Sequence, residues 1–301
     1  KSNQDRIAVV YDDSTFTYRE IDQKSNSLSV LLRKRGVEKS DVVFNRTDNS
    51  VELLVSLLAI LKCGAIYLPI DPLWPDAQTD DLIRRIKPKI IITNAEGKKS
   101  WQAEQLHFSV NELPLTKDFK VPVLNKKDPA YAFFTSGTTG IPKACLNSQQ
   151  GILNRLMYMN ERYKFTKNDV VLQNSNYMFD AALWQLLWPL INGAKVVIPV
   201  NYENLHPKTF SDLIYKHKIT FTDFAPSIFK VLVEYISKNK NAHQKLNSIH
   251  QILVGGEAMN VKDVYEFKKM LPQANITNTY GPAECSIGTI FHEVVGEDFE
   301  S

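Results

Sequence analysis

The sequence contains few cysteines and no histidine pattern typical of a metal site. Its cysteines are Cys63, Cys145 and Cys285, which lie far apart and form no CxxC pair. An odd number of separated cysteines argues against a disulfide framework and against a structural zinc site. None of the six histidines is spaced as HxxxH or HExxH, which argues against a histidine-ligated metal. This cysteine usage fits a reducing compartment, and we expect a cytoplasmic protein.

Long hydrophobic runs and a strong excess of charge are also missing. The longest apolar run, Val51–Leu61, reaches about half the length of a membrane span and contains Glu52. No charged-then-apolar signal segment opens the chain. Lysine and arginine number 36 against 33 acidic residues, a net charge of +3, and the basic residues are scattered. A nucleic-acid binder would concentrate them on one face. We therefore expect neither a membrane nor a nucleic-acid partner.

What the sequence does contain is an alternation of short apolar runs with amphipathic stretches, which is typical of an α/β protein. Its 301 residues, 44% of them hydrophobic, suit one large domain or two lobes. Apolar runs without alternation suit a parallel sheet covered on both faces, so we predict layered sheets flanked by helices. Strands are predicted over 65–70, 89–93, 131–134, 170–173, 195–199, 219–224, 251–254 and 276–278. Helices are predicted over 17–36, 50–62, 151–163, 181–191, 209–217, 228–238 and 261–271.

Local signals support the first helix and leave one region without regular structure. Thr17 and Glu20 have the spacing of a capping box, and Gly36 suits the C-terminal stop of the helix. Residues 94–129 are mixed in charge and interrupted by three prolines. We expect a surface excursion there, with or without a minor strand.

The strongest local signal of chemistry is Thr135–Lys143, which directly follows an apolar strand. Its two glycines, four hydroxyls and one lysine within nine residues are able to surround an anion. Glycines let backbone N–H groups converge on phosphate oxygens, and lysine adds charge. The P-loop pattern GxxxxGK[ST] is not met, because Ile141 and Pro142 separate Gly140 from the lysine. The alternative for a loop of this composition is a flexible turn.

Four ordered motifs resemble those of the adenylate-forming enzymes, which include acyl-CoA synthetases, luciferases and the adenylation domains of nonribosomal peptide synthetases. The motifs are Leu61–Pro72, Thr135–Lys143, Phe179–Trp184 and Asn278–Glu284. The first is most similar to the peptide-synthetase branch. The resemblance implies the α/β N-terminal core of such an enzyme, with residues 1–301 as the large N-terminal subdomain of an adenylation domain. We expect the family's ribose-binding aspartate, its hinge and its small C-terminal subdomain with the catalytic lysine to be absent from these residues.

The resemblance also implies a nucleotide site. Thr138 and Thr139 would contact the ATP phosphates and Mg²⁺, Lys143 would act with them in catalysis, and Glu284 would bind Mg²⁺, which prefers oxygen ligands. The other residues that the resemblance assigns to the nucleotide are Ser136, Gly137, Gly140, Gly255, Gly256, Glu257, Asn278 and Tyr280. Without the motifs, Tyr280 would be interpreted as a core tyrosine, Glu284 as a solvated turn residue, and Gly255-Gly256-Glu257 as a plain turn.

Asp180 is the residue from which we predict the class of substrate. In the resemblance this position holds the α-ammonium group of an amino acid by a charge-assisted bond. Activators of fatty acids and acetate have no cation to hold and typically lack this residue. An aspartate at the start of an apolar helix is alternatively a simple helix cap. The remaining pocket residues implied by the resemblance are Ala181, Trp184, Asp223, Leu253, Gly255, Thr279, Ile287 and Gly288.

Asp223 leaves two interpretations open. A carboxylate in a partly apolar pocket needs a partner. The predicted neighbours offer only one N–H from Trp184 and one hydroxyl from Thr279, so the substrate side chain would provide the remaining donors. Alternatively, neighbours within the protein satisfy the carboxylate. The first interpretation predicts a basic or polar substrate side chain.

The resemblance implies a complete reaction. An amino-acid carboxylate would attack ATP to give an aminoacyl-adenylate and pyrophosphate, with Mg²⁺ as cofactor. The aminoacyl group would then pass to the phosphopantetheine thiol of a partner carrier domain. One alternative is an acyl-CoA ligase of the same fold. The other is a truncated, non-catalytic module that binds nucleotide or amino acid.

Overall fold

The computed structural model describes residues 4–94, 101–135, 143–200, 206–239 and 241–296. Its strands are β1 (Ile7–Tyr11), β2 (Ser14–Thr17), β3 (Val42–Arg46), β4 (Ile66–Pro69), β5 (Ile90–Thr93), β6 (Gln105–His107), β7 (Pro129–Thr135), β8 (Lys143–Ser148), β9 (Val170–Leu172), β10 (Lys195–Ile198), β11 (Phe221–Phe224), β12 (Gln251–Gly255), β13 (Asn275–Tyr280) and β14 (Ile290–Glu293). Its helices are α1 (Tyr18–Lys34), α2 (Val51–Lys62), α3 (Asp76–Ile86), α4 (Gln149–Tyr163), α5 (Ala181–Ile191), α6 (Pro207–His217), α7 (Pro226–Lys238) and α8 (Val261–Met270). None of the helices in the described ranges is long and apolar enough to cross a membrane.

Two mainly parallel sheets form the body of the molecule. The larger has eight strands in the order β14-β13-β12-β11-β9-β10-β1-β2, and the smaller has six in the order β6-β5-β3-β4-β7-β8. Antiparallel pairs lie at the sheet edges, where β2 joins β1, β14 joins β13, and β8 joins β7. Helices pack on these sheets and bury the apolar strands. The predicted class, layered α/β sheets flanked by helices, is therefore confirmed.

The seven predicted helices and eight predicted strands are all present, with ends shifted by a few residues. The structure adds α3 and the strands β1, β2, β3, β6, β8 and β14. β3 is central in its sheet, yet the sequence pattern does not indicate it, because Asn45 and Arg46 shorten its apolar run. β8 also escapes prediction, because it is an edge strand whose residues are mostly exposed and whose pattern belongs to a hairpin with β7.

The segment 94–129 contains the minor strand that the expectation allowed, but part of it is buried and is not a surface excursion. Trp101, Leu106 and Phe108 are buried, and Gln105–His107 forms β6. The following residues lie along the polar side of α1, where Ser27 donates to the carbonyl of Pro114 at 2.6 Å. The backbone therefore finds its hydrogen-bond partners in side chains of a helix, an arrangement that has no local sequence pattern.

Helix α5 connects the fold to the pocket predicted from the sequence. Trp184 and Trp188 lie one turn apart on it and are 1% and 0% exposed. Their rings contact the ring of Phe221 in β11, with centroid distances of 5.5 and 4.9 Å in edge-to-face geometry. Aromatic pairs of this kind fix relative orientation as well as burying area. These contacts pack the body of α5 against the first residue of β11.

The capping box that starts α1 is confirmed. The Thr17 hydroxyl accepts from the Glu20 backbone N–H at 3.2 Å, and the Glu20 carboxylate accepts from the Thr17 backbone N–H at 2.7 Å. Two N–H groups that the first turn leaves without helical partners are thereby satisfied.

We expect Thr17→Ala to lower the free energy of unfolding by about 1 kcal/mol, because the substitution removes the acceptor of the N3 backbone N–H. Thr15→Ala is the matched control, since Thr15 is exposed on the edge strand β2 and caps no helix. Denaturant unfolding followed by circular dichroism measures both. Equal stability of the two variants would contradict the role of the cap.

Candidate functional site

The carboxyl ends of three neighbouring parallel strands bring several predicted pocket residues together. β11, β12 and β13 pair so that Asp223 lies opposite Leu253, and Gly255 lies opposite Thr279. The carboxyl edge of a parallel sheet is the usual position of a ligand site in α/β proteins. Trp184 reaches this edge from α5, because its indole N–H donates to the Asp223 carboxylate at 3.2 Å. Four strand residues and one helix residue thus surround one region.

Gly255 is required by a close approach between β12 and β13. A Cβ atom at this position would lie 2.1 Å from the Thr279 hydroxyl oxygen and 2.4 Å from the Thr279 carbonyl oxygen. The next residue, Gly256, has a φ of +93° and open space around the position of a Cβ. Only glycine adopts this combination without strain. The strand therefore ends in bare backbone, a flat surface that a planar ligand is able to approach.

The residues predicted to contact a nucleotide lie along the same edge. Tyr280 ends β13 with 63% of its surface exposed, so the alternative of a core tyrosine is wrong. Asn278 is half-buried two residues earlier on the strand. Glu257 is exposed after the β12 turn, where its carboxylate accepts from the Ser227 hydroxyl at 3.4 Å. An exposed aromatic ring beside a glycine turn offers a stacking surface.

Asp180 stands at the N-terminus of α5, directly before Ala181, but it is not a side-chain cap. Its carboxylate instead accepts from the backbone N–H of Ile287 at 3.0 Å. Burial raises the pKa of Asp180 to about 6, and the bond from Ile287 opposes that rise. The loop that supplies this N–H is unusual, because Ser286 and Ile287 both have positive φ, +58° and +79°. For a β-branched residue this is a strained conformation of the kind found at functional sites.

Asp223 is satisfied within the protein. Its carboxylate accepts from the Ser175 hydroxyl at 2.5 Å, from the Gln185 amide at 2.7 Å and from the Trp184 indole at 3.2 Å. Burial raises the pKa of Asp223 to about 6, and these three hydrogen bonds act against the rise.

The expectation that the substrate supplies the missing donors is therefore wrong. The predicted hydroxyl donor, Thr279, is engaged elsewhere, since it donates to the carbonyl of Val254 at 3.4 Å.

Ser175 and Gln185 are functional neighbours that sequence reasoning does not identify. Gln185 is 0% exposed and also accepts from the backbone N–H groups of Asn174 and Ser175, at 3.1 and 3.0 Å. One glutamine thus ties the loop after β9 to the carboxylate at the end of β11. A signal is present, because a glutamine inside the very apolar helix Ala181–Ile191 is a buried polar residue that needs partners.

Two hydrogen bonds join the smaller sheet to the site. The Asn147 amide of β8 donates to the carbonyl of Ala283 at 2.9 Å, and its oxygen accepts from the Ser286 hydroxyl at 2.8 Å. β8 is therefore held beside the 3-10 turn Ala283–Cys285, which contains Glu284. Lys143 is exposed at the start of the same strand.

The residues predicted to hold phosphate and metal are only partly described. Ser136, Gly137, Thr138, Thr139 and Gly140 lie outside the described residues. Glu284 is exposed, and none of the hydrogen bonds or ion pairs among the described residues engages its carboxylate. Within the same residues no group of three histidine, cysteine or acidic side chains is arranged to hold a metal ion. Mg²⁺ commonly binds through one or two carboxylates together with substrate phosphates, and a single exposed carboxylate fits that mode.

The arrangement combines three chemical capacities. A half-buried carboxylate, Asp180, is suited to a cation. A glycine turn and the exposed Tyr280 ring are suited to a planar base. Glu284 and Lys143 are both exposed and are suited to a metal ion and to an anion, respectively.

Solved structures share this fold. The nonribosomal peptide synthetase FmoA3 in its AMPPNP-bound form superimposes with a TM-score of 0.88 at 24% sequence identity, over 97% of this chain and 31% of that one. The N-terminal subdomain of NpsA from Klebsiella oxytoca, in complex with anthranilyl-AMSN, superimposes with a TM-score of 0.83 at 24% identity, over 96% of this chain and 73% of that one.

Comparison of sequences identifies relatives and a family. Zwittermicin A synthase ZmaJ of Bacillus cereus is 31% identical over 94% of this chain, and enterobactin synthase component F of Escherichia coli is 32% identical over 94%. The chain spans only 55% and 22% of the length of these two relatives. The family model of AMP-binding enzymes matches residues 1–300. The chain therefore belongs to the AMP-binding enzyme family.

Proposed function

We propose that this chain is the large N-terminal part of an amino-acid adenylation domain. Residues 1–301 would bind ATP and an amino acid, whose carboxylate oxygen attacks the α-phosphorus of ATP and displaces pyrophosphate. The aminoacyl-adenylate would then load a carrier-protein phosphopantetheine thiol, with release of AMP. The observation that carries this proposal is the Asp180 carboxylate, which is half-buried and held by the Ile287 N–H at the carboxyl edge of the sheet.

Asp180 selects for a cation. A carboxylate withdrawn from water is costly unless a donor or positive charge meets it, and the α-ammonium of an amino acid provides both. The bond from Ile287 fixes the carboxylate at the start of α5, so the ammonium meets a group already in position. Pre-positioning of this kind lowers the entropic cost of binding and aligns the substrate carboxylate for attack.

The nucleotide would lie on the adjoining strand ends. Tyr280 would stack on the adenine, Asn278 would hydrogen-bond its amino group, and the bare backbone at Gly255 and Gly256 would allow the close approach of the base. Lys143 would place positive charge near the phosphates, and it belongs to the same sequence motif as Thr138 and Thr139. Mg²⁺, held by Glu284 and Thr139, would neutralise phosphate charge when bound.

Two alternatives are less well supported. An acyl-CoA ligase acts on acids without an α-ammonium, which would leave the Asp180 carboxylate buried and unmatched. A non-catalytic binding module would share the same pocket and differs only in lacking turnover. Both are separated from the proposal by the measurements that follow.

Amino-acid-dependent exchange of pyrophosphate into ATP tests the function. On the native protein we expect one or a few amino acids in a panel to raise exchange above the level without amino acid. With residues 1–301 alone we expect very slow exchange, because by the resemblance the family's ribose-binding aspartate and catalytic lysine would lie outside these residues. Stimulation by fatty or aryl acids lacking an amino group would point to the acyl-CoA ligase instead.

The Asp180→Ala substitution tests the ammonium site directly. We expect it to weaken binding of the amino acid by more than about tenfold, because truncating one partner of a buried charge pair costs about 2–5 kcal/mol. Calorimetric titration of residues 1–301 with a non-hydrolysable aminoacyl-adenylate analogue measures the affinity. The same analogue without its amino group is the control, and its affinity should be the same for both proteins. Unchanged affinity for the aminoacyl analogue in the variant would contradict the assignment.

Binding should also depend on pH through Asp180. Burial raises the pKa of this carboxyl to about 6, so it is neutral well below pH 6 and ionised well above it. Only the ionised form pairs with an ammonium group. We therefore expect the affinity for the aminoacyl analogue to rise with pH through about 6 and to level off above it, and we expect this rise to disappear in Asp180→Asn. A flat profile in the parent protein would contradict the role of Asp180.

A further inference from the structure

A cavity of about 690 Å³ lies between α4 and the segment that leads into β14. Arg155 and Tyr158 line it from the helix, and Gly288 and Phe291 line it from the opposite side. Gly288 is also one of the residues predicted to line the side-chain pocket. The cavity therefore adjoins the predicted side-chain pocket at a residue without a side chain. None of the residues that line it is assigned above to the nucleotide.

Arg155 is the buried charge of this cavity. Arg155 is 4% exposed, and its Nε and Nη1 atoms have no hydrogen-bond partner. No carboxylate among the described residues forms an ion pair with it. The guanidinium carbon lies 4.1 Å from the ring centroid of Phe291 and 5.9 Å from that of Tyr158. Ring faces attract a cation, but they do not replace acceptors for its in-plane N–H groups.

The carboxylates of Asp180 and Asp223 do not provide the acceptors that the Arg155 guanidinium lacks. Asp180 and Asp223 interact electrostatically with Arg155, and burial lowers the pKa of the guanidinium to about 10. Asp180 is directed to the N–H of Ile287, and Asp223 is occupied by its three donors. Acceptors are therefore in short supply at Arg155, whereas donors are in ample supply at Asp223.

Gly288 and Phe291 lie in close contact at the edge of this cavity. A Cβ atom on Gly288 would lie 2.5 Å from the edge of the Phe291 ring. The ring edge therefore occupies the space that a side chain at this position would fill, and the face of the same ring carries the guanidinium of Arg155. A substrate side chain that passes Gly288 reaches this ring and the cation behind it.

We propose that Arg155 binds a carboxylate at the end of the substrate side chain, so that the amino acid is a 2-amino dicarboxylic acid. The inference rests on the proposed function, because it assumes that Asp180 holds the ammonium of the same molecule. A carboxylate suits a guanidinium because charge and planar geometry both match. It also compensates a buried cation that is otherwise costly. Glu161 is exposed at the rim of the cavity, and its negative charge would disfavour an anion that remained there rather than reaching Arg155.

The test compares side chains on one scaffold. Non-hydrolysable aminoacyl-adenylate analogues of aspartate, glutamate, 2-aminoadipate, glutamine and 2-aminohexanoate are titrated into residues 1–301. We expect one of the dicarboxylic analogues to bind most tightly. Arg155→Met should weaken the binding of that analogue by about tenfold or more, because a charged hydrogen bond is lost. The affinity for the 2-aminohexanoate analogue should be unchanged.

Two further variants keep the test decisive. Arg162→Met is the matched control, since Arg162 lies two turns later on α4, outside this cavity, and should alter neither affinity. Arg155→Lys retains the cation and should retain the preference for a dicarboxylic analogue with reduced affinity, even where Arg155→Met folds poorly in thermal unfolding.

The outcomes distinguish failure of the carboxylate assignment from failure of the proposed function. A parent that prefers the glutamine or the 2-aminohexanoate analogue overturns the carboxylate assignment and leaves the proposed function intact. The carboxylate assignment is also overturned, with the function intact, if Arg155→Met binds the whole series like the parent. If no analogue binds while the native protein still shows amino-acid-dependent pyrophosphate exchange, only the carboxylate assignment is overturned. If no analogue binds and no amino acid stimulates exchange, the proposed function is overturned, and the assignment of Arg155 with it.

Discussion

A carboxylate removed from water has to be met by donors, and this requirement organises the site at the carboxyl edge of the larger sheet. Asp223 lies one residue before the end of β11 and receives three side-chain donors. Those donors come from the loop after β9 and from α5, so one charged group fixes the relative position of a strand, a loop and a helix. Asp180, at the N-terminus of that helix, receives a backbone N–H from the loop before β14. Burial raises the pKa of both carboxylates to about 6, yet they differ in how many donors they receive. That difference is our reason for proposing Asp180, rather than Asp223, as the group that binds substrate.

The smaller sheet contributes to the same place through Asn147. This residue is 5% exposed on β8, and its side-chain amide both donates to and accepts from the segment Ala283–Ser286. Gly151 at the start of α4 allows the approach, because a Cβ there would lie 2.2 Å from the Ser286 hydroxyl oxygen. The positive φ values of Ser286 and Ile287 are therefore held by contacts from two sides, which is what a strained loop needs in order to persist.

Much of the fold is predictable because the chain presents long, strongly periodic segments. Seven of the helices and most of the buried parallel strands follow from local pattern. β3 and β8 do not follow, since one is shortened by buried polar residues and the other is mostly exposed. Among site residues, the motifs place Asp180, Gly255 and Tyr280 along one edge. The partners of Asp223 escape prediction for a different reason: Ser175 and Gln185 lie 48 and 38 residues away in sequence, and only the assembled fold brings them within hydrogen-bond distance.

The charges around the pocket determine which sign of substrate side chain it favours. From the sequence alone, Asp223 is satisfied either by a basic or polar substrate side chain or by neighbours within the protein. The structure supplies three donors to that carboxylate and leaves two buried nitrogens of Arg155 without partners, so the group that lacks partners is a cation. This change of sign alters the expected substrate, because a buried ion is stabilised by a ligand of opposite charge and destabilised by one of the same charge. A cation presented to this region would meet the Arg155 guanidinium without a free carboxylate at Asp223, whereas an anion would complete the hydrogen bonding that Arg155 lacks.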